Sequence, residues 1–161
     1  MVMYLYHGSD VIVKKPKILE SNRYLDFGAG FYTTGNKKQA LRWAKKVSKR
    51  NDTDHFFVSI YEFNKSDAFK NLQVLVFDHA DKKWLDFVLK NRNGKKTIEY
   101  DIVSGPVADD NVYLSIRLFE TGVLSEEETI KRLKIRKLYN QILFHNVKSL
   151  KYLKYKDYLT L

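Results

Sequence analysis

The chain has 161 residues, of which 44% are hydrophobic and 14% aromatic. This length fits one domain with one core, so we predict a single domain over residues 1–161. The apolar content excludes a disordered chain of the acidic, aromatic-poor kind. Lys and Arg number 29 against 19 Asp and Glu, which gives a net charge of +10. A charge of this sign favours a polyanionic partner such as nucleic acid, or a diphosphate ligand.

The chain has no cysteine and four histidines. Disulfides, thiolate zinc sites and cysteine nucleophiles are therefore excluded. Because the histidines are scattered along the chain, we also expect no metal. The N-terminal segment lacks the charged start and apolar run of a signal peptide, and no apolar stretch approaches the roughly 20 residues of a membrane span. We therefore expect a protein with no membrane partner that is cytoplasmic, or else delivered by a route that leaves no mark on this segment.

Residues 1–50 predict two short strands and one helix. Met3 to Tyr6 form a strand-like run that ends at residues 7–9 (HGS). After a long loop, Phe31 to Thr34 are β-prone. Asn36 can cap a helix, and Gln39 stands at the third position of a capping box. One face of this helix carries Ala40, Trp43, Ala44 and Val47, and the opposite face carries Lys38, Arg42, Lys45 and Lys49.

The rest of the chain predicts a mixture of strands and helices. Strand-like runs are His55 to Phe63, Leu72 to Phe77, Asp101 to Val107, Gln141 to Phe144 and Tyr152 to Leu159. Helical patterns are residues 80–88, Val112 to Phe119 between caps at Asp110 and Gly122, and a capping box of Ser125 and Glu128 that opens a helix through Leu133. The strands do not alternate strictly with helices, so the pattern predicts a mixed α+β fold.

The glycine-containing segment 26–32 (DFGAGFY) is the first candidate binding motif. It lacks the third glycine of a dinucleotide fingerprint and does not open a helix directly, so it does not support a Rossmann fold. A phosphate-binding loop with Gly-Lys-Ser or Gly-Lys-Thr is absent as well. Residues 7–9, taken alone, fit a hydrogen-bonded histidine before a turn.

Three segments in this order carry a family resemblance: residues 5–9 (LYHGS), 27–32 (FGAGFY) and 140–144 (NQILF). Together they resemble the ADP-ribosyltransferase superfamily of the diphtheria-toxin and poly-ADP-ribose-polymerase type, as a His-Tyr-Gln variant. More closely, nearly the full chain resembles an uncharacterised bacterial family that is grouped with these enzymes. The resemblance implies a split β-sheet core with flanking helices and NAD as the substrate, with no metal.

The resemblance assigns roles to five residues. His7 would hydrogen-bond the ribose on the adenine side, and Ser9 would help there. Gly8 would grip the nicotinamide carboxamide through its main chain. Tyr32 would lie against one face of nicotinamide and Trp43 against the other.

The sequence departs from the family at two positions. Ala40 occupies the place of a serine that bonds the carboxamide, a loss of about 0.5–1.5 kcal/mol. Gln141 replaces the catalytic glutamate. A glutamine keeps a hydrogen bond to the ribose 2′-hydroxyl but lacks a charge that is worth about 4 kcal/mol, or roughly a thousandfold in rate. Because Gln141 is no general base, we expect no chain elongation and an acceptor with its own nucleophilicity, such as a phosphate, a ring nitrogen or a carboxylate.

Basic residues cluster near the C-terminus. Residues 131–137 (KRLKIRK) contain Lys131, Arg132, Lys134, Arg136 and Lys137, and Lys148, Lys151, Lys154 and Lys156 follow among tyrosines. The clusters fit either a solvated helix end and edge strand or a track for nucleic acid. Asp109 and Asp110 could be catalytic carboxylates, although a helix cap explains Asp110 sufficiently.

The function that the resemblance implies is NAD-dependent mono-ADP-ribosyl transfer to a protein or nucleic-acid acceptor. The closer likeness suggests a toxin held in check by a small inhibitory partner protein. Gln141 and Ala40 leave a second interpretation open, a module that binds NAD, ADP-ribose or RNA without turnover. A third is an NAD glycohydrolase, in which water is the acceptor.

Overall fold

The computed structural model describes residues 2–19, 25–95, 99–108, 110–135 and 138–160. Within these residues lie seven strands and six helices, so the predicted mixed α+β class is confirmed. The strands are β1 Val2–Ser9, β2 Phe31–Thr33, β3 Phe57–Asn64, β4 Val74–Val76, β5 Ile102–Pro106, β6 Asn140–Phe144 and β7 Leu153–Thr160. The helices are α1 Lys37–Arg50, α2 Lys65–Asn71, α3 Lys82–Arg92, α4 Asp110–Glu120, α5 Glu126–Ile135 and α6 Val147–Leu150.

The strands form two sheets. The first is antiparallel, in the order β1-β3-β7. The second has the order β2-β6-β5-β4, in which only β4 and β5 run parallel. A single bridge between Tyr6 and Thr34 joins β1 to the residue after β2. The two sheets therefore meet where the first two strands begin to separate.

Buried apolar side chains of the described residues form three clusters. The largest lies between the second sheet and helices α3, α4 and α5, and includes Phe27, Trp84 and Leu143. The buried indole is satisfied because Trp84 Nε1 donates to the Pro106 carbonyl at 3.0 Å. A second cluster, with Leu5 and residues of β2, β3, β5 and β6, lies between the sheets. The third seats α1 on the first sheet.

Two predicted capping boxes have different outcomes. At α5, Ser125 and Glu128 exchange both bonds, at 3.1 and 3.2 Å, as the sequence predicts. At α1, Asn36 accepts from the Gln39 N–H at 2.9 Å, but the reciprocal bond is not made. The Asn36 N–H donates to Thr34 Oγ1 instead, and the Gln39 side-chain oxygen accepts from the Arg42 guanidinium at 2.6 Å. The prediction of a full box at α1 was therefore wrong.

Candidate active site

His7 lies near the end of β1 and reaches across to β2. Its Nδ1 is 2.7 Å from the Tyr32 carbonyl oxygen. Because a carbonyl only accepts, Nδ1 carries the proton and Nε2 is the acceptor nitrogen of the neutral ring. The ring stacks on Phe31 with centroids 4.2 Å apart. Burial lowers the pKa of His7, against the raising effect of the Tyr32 carbonyl, so the neutral form is favoured.

Strands β1 and β2 separate directly after their bridge. Tyr6 and Thr34 exchange two main-chain hydrogen bonds, at 2.8 and 2.9 Å. Continuing this antiparallel register would set Gly8 opposite Tyr32, but the Tyr32 carbonyl accepts from His7 Nδ1 instead. Alternate residues point their N–H and C=O groups the same way, so those of Gly8 face this opening. Outside the strand ladders, no main-chain partner for them occurs among the described residues, and Gly8 itself is buried.

The other side of Gly8 is closed by α1. A Cβ atom at Gly8 would collide with the Ala40 carbonyl oxygen and lie 2.6 Å from the Ala44 nitrogen. Glycine is therefore required for β1 and α1 to pack at this distance. Ala40, a predicted binding residue, is fully buried in this contact. Ser9, at the end of β1, accepts from the Val11 N–H at 3.4 Å.

Tyr32 fixes the turn that precedes β2. Its hydroxyl donates to the Gly28 carbonyl at 2.6 Å and accepts from the Phe27 N–H at 3.1 Å. Gly28 has φ +85°, a conformation that favours glycine. The half-buried ring packs against the largest core cluster. Burial, and next the nearby Asp26 carboxylate, hold the pKa of Tyr32 well above its usual range, so the phenol stays neutral.

Gln141 lies on β6, next to β2 in the same sheet. Tyr32 pairs with Leu143, so the side chains of Tyr32 and Gln141 share one face. The sequence predicts that Gln141 lies on a strand that faces Tyr32 and His7 across a cleft. Gln141 does lie on a strand, but that strand is the direct neighbour of β2 in the same sheet. Gln141 is only 3% exposed, and its Nε2 donates to Asp26 Oδ2 at 3.3 Å.

Asp26 is a buried carboxylate that the sequence-based site did not include. It is 4% exposed and accepts from the Ala108 N–H at 3.2 Å and the Tyr113 hydroxyl at 3.1 Å, besides Gln141. Burial raises the pKa of Asp26, although these donors and the charge of Arg92 act against it. The only sequence signal was its position as the first residue of the glycine-containing segment 26–32.

Arg92 completes this buried polar group. Its guanidinium carbon lies 4.1 Å from the centre of the Tyr113 ring. Its Nη1 is buried and has no hydrogen-bond partner among the described residues. The positive charge of Arg92 thus favours the charged form of Asp26, and Arg92 also packs on Tyr113, which donates a hydrogen bond to Asp26.

Trp43 lies on α1 and is half-buried. It takes part in none of the apolar clusters or ring pairs of the described residues. The Tyr32 ring packs into the core below the second sheet, so a sandwich of one flat ligand between Tyr32 and Trp43 stays a prediction.

The predicted basic clusters have acidic neighbours. Lys131 lies 3.9 Å from Glu127, and Lys131 and Arg132 act electrostatically on Glu128. Lys134 is exposed, whereas Arg136 and Lys137 lie outside the described residues, as does Asp109. Two of the C-terminal lysines also make ion pairs, Lys148 with Asp101 at 3.7 Å and Lys156 with Glu62 at 3.8 Å.

No group of three or more His, Asp or Glu residues able to hold a metal occurs in the described part of the chain. No described helix has the length and apolar character needed to cross a membrane. Two surface grooves, one lined by Pro16 and Leu150 and the other by Leu114 and Arg132, include none of the candidate active-site residues.

Residues 3–155 match the family described as "Protein of unknown function (DUF3990)". The chain belongs to this family. No curated protein matches the chain. The match agrees with the expected likeness to an uncharacterised family, and it carries no link to the ADP-ribosyltransferase superfamily.

Proposed function

We propose that this protein is an NAD-dependent mono-ADP-ribosyltransferase. The observation that carries the proposal is the separation of β1 and β2, where the His7 side chain bonds the Tyr32 carbonyl and leaves the buried main chain of Gly8 without a partner on that side among the described residues. Two motif members that are 25 residues apart in sequence are thereby in hydrogen-bond contact.

The open edge of Gly8 fits a carboxamide. One N–H donor and one C=O acceptor side by side complement the oxygen and the amino group of nicotinamide. The neutral His7 ring offers Nε2 as an acceptor for a ribose hydroxyl. Neither contact requires a charged protein group. The positive charge of the nicotinamide ring does not change this, because the contacts are made to the neutral carboxamide and to a ribose hydroxyl.

The amide of Gln141 has a defined orientation. Its Nε2 is engaged by Asp26, so Oε1 is the atom left to accept from the 2′-hydroxyl of the nicotinamide-side ribose. No partner for Oε1 occurs among the described residues. In this proposal Gln141 orients the ribose, and the Asp26 carboxylate behind it supplies part of the negative field that stabilises the positive transition state.

The acceptor must bring its own nucleophilicity, because neither Gln141 nor the fully engaged Asp26 is placed as a general base. A phosphate, a ring nitrogen or a carboxylate of a nucleic acid or protein meets this condition. The proposal includes a toxin role with a small inhibitory partner, which rests on the sequence likeness alone.

The burial of Gln141 favours a second candidate, a module that binds NAD or ADP-ribose without turnover. A side chain that is 3% exposed must gain access before it can touch a ribose. A module that uses only the Gly8 edge would bind the nicotinamide carboxamide or the amino group of adenine without contact to Gln141.

The test combines binding and cleavage of labelled NAD. Each protein is incubated with labelled NAD and a lysate. We then measure nicotinamide release, and the label in the separated protein and nucleic-acid fractions. The proteins are the wild type, Gln141→Ala and the matched surface control Gln73→Ala. We expect Gln141→Ala to lose turnover and to bind NAD within a few fold of the wild type, because one neutral hydrogen bond of about 1 kcal/mol is lost.

Gln73 is exposed, so its variant should behave as the wild type. NAD binding without nicotinamide release by the wild type would support the binding module instead. Free ADP-ribose with no labelled fraction would identify a glycohydrolase. Absence of NAD binding would overturn both NAD-based functions.

A further inference from the structure

Helix α1 presents an exposed surface made only of basic side chains. Seven residues of this helix are exposed, and every one is Lys or Arg. They are Lys37, Lys38, Arg42, Lys45, Lys46, Lys49 and Arg50. The 14 residues of the helix include no acidic residue. We call these seven residues the α1 basic face.

Six of the seven residues of the α1 basic face, all but Lys46, take no part in the ion pairs found among the described residues. Arg42 bonds a neutral amide oxygen, that of Gln39. In α5, by contrast, the first turn carries three glutamates, Glu126, Glu127 and Glu128, ahead of its lysines and arginine. The positive charge of α5 is therefore partly compensated by its own glutamates, whereas α1 has no acidic residue to compensate its charge.

This arrangement of charge does not help the helix to fold. Like charges four residues apart, such as Lys38 with Arg42 and Lys45 with Lys49, destabilise a helix. Lys37 lies in the first turn, where the helix dipole disfavours cations, whereas Arg50 in the last turn is favoured. The helix is held by its other side, which packs against β1 and β3. The basic face therefore needs an explanation outside the fold.

We propose that the α1 basic face binds the phosphate backbone of a nucleic acid. Lys38, Arg42, Lys45 and Lys49 repeat at intervals of four, three and four residues, which gives a stripe about 16 Å long on one side of the helix. These basic residues are evenly spaced, with no exposed apolar or acidic residue between them. Such a surface complements a polyanion with evenly spaced charges better than it complements a single acidic side chain of a protein. Because no apolar side chain of α1 is exposed, the helix cannot insert into a lipid surface.

The α1 basic face also borders the candidate active site. The Arg42 guanidinium carbon lies 5.1 Å from the centre of the Tyr139 ring, two residues before Gln141. If the proposed function holds, on which this step rests, the bound nucleic acid is the ADP-ribose acceptor. The binding itself does not depend on NAD cleavage.

The test is fluorescence anisotropy with labelled single-stranded DNA and RNA of about 20 nucleotides, from about 50 to 300 mM salt. The variant Lys38→Gln, Lys45→Gln, Lys49→Gln is compared with Lys131→Gln, Arg132→Gln, Lys134→Gln in α5, which removes the same charge. The slope of log affinity against log salt should fall by about 2 in the α1 variant, since each phosphate contributes about 0.7. Affinity at about 100 mM salt should fall at least about tenfold, and the α5 variant should lose much less.

Circular dichroism and thermal unfolding show whether both variants are folded. Absence of wild-type binding at about 50 mM salt, or an equal loss in both variants, would overturn the proposal. Competition by polyglutamate as strong as by an oligonucleotide of equal charge would do so too, in favour of an acidic protein. Nicotinamide release without nucleic acid, measured on the same preparations, reports on the proposed function separately.

Discussion

The two halves of the candidate site are held together by different forces. The strand-end half, His7 and Gly8, is fixed by packing and main-chain geometry and contains no charge. The buried polar half, Asp26 and Gln141, is fixed by side-chain hydrogen bonds around one desolvated carboxylate. Binding geometry and local charge are thus determined independently, so substitutions should be able to change one without the other.

The largest expected effect is on catalysis, in the buried polar half. Gln141→Glu restores the missing charge, worth up to roughly a thousandfold in rate. The new carboxylate would, however, lie beside Asp26, because Gln141 Nε2 is 3.3 Å from Oδ2. Two carboxylates in contact share a proton, which raises one pKa strongly and reduces the gain. We expect Asp26→Asn with Gln141→Glu to release nicotinamide faster than Gln141→Glu alone, and both faster than the wild type.

Asp26→Asn alone is the control for this pair, since it removes the buried charge without adding another. Equal rates in the single Gln141→Glu variant and the double variant would show that Asp26 and position 141 do not share a proton. Rates no higher than that of the wild type in either would place Gln141 away from the scissile bond.

The next effect is on stability, in the strand-end half. Gly8→Ala places a methyl group against the main chain of Ala40 and Ala44, which cannot move without shifting α1. We expect a loss of about 3 kcal/mol in the free energy of unfolding. Gly35→Ala is the matched control, because its methyl group would meet only Met3 Cε at 3.7 Å and should cost less than about 0.5 kcal/mol. Urea unfolding measures both, and similar costs would contradict the close packing of α1 on β1.

Where the signal and its effect are a few residues apart, the sequence predicted one capping box correctly and the other, at α1, only in part. The α5 capping box joins residues three apart, and it is present. Helices α2 and α6 were not predicted, because 7 and 4 residues are too few to show a helical period. Their caps, Asn64 with Asp67 and Asn146 with Ser149, were the available signals.

The candidate site was predicted in its strand-end half and incompletely in its buried half. His7, Gly8 and Tyr32 belong to short motifs that the resemblance picks out. Asp26 accepts a hydrogen bond from Gln141, which is 115 residues away in the sequence, and no local sequence pattern predicts such a contact. The charge of the site was therefore not predictable before the fold was known.

A smaller effect concerns how stability depends on pH in the buried polar half. Because burial raises the pKa of Asp26, the folded protein holds this proton to higher pH than the unfolded chain. The wild type should therefore lose stability relative to Asp26→Asn as pH rises from about 4 through the raised pKa, and the difference should then level off. Urea unfolding of both proteins from about pH 4 to 8 measures this. A difference that changes in the opposite direction would mean that the donors around Asp26 outweigh its burial.

The smallest effect is expected at His7, where the Tyr32 carbonyl opposes the effect of burial on the pKa. His7→Asn keeps an N–H near the position of Nδ1 and removes the titration. Since the folded-state pKa is lowered, the wild type should lose stability relative to His7→Asn as pH falls below about 6.5, by at most about 1.4 kcal/mol per pH unit, and the two should differ by a constant above it. Urea unfolding of both proteins across this pH range measures the difference. A wild type that gains stability as pH falls would show that His7 is charged in the fold, and a charged ring would have no Nε2 acceptor for a ribose hydroxyl.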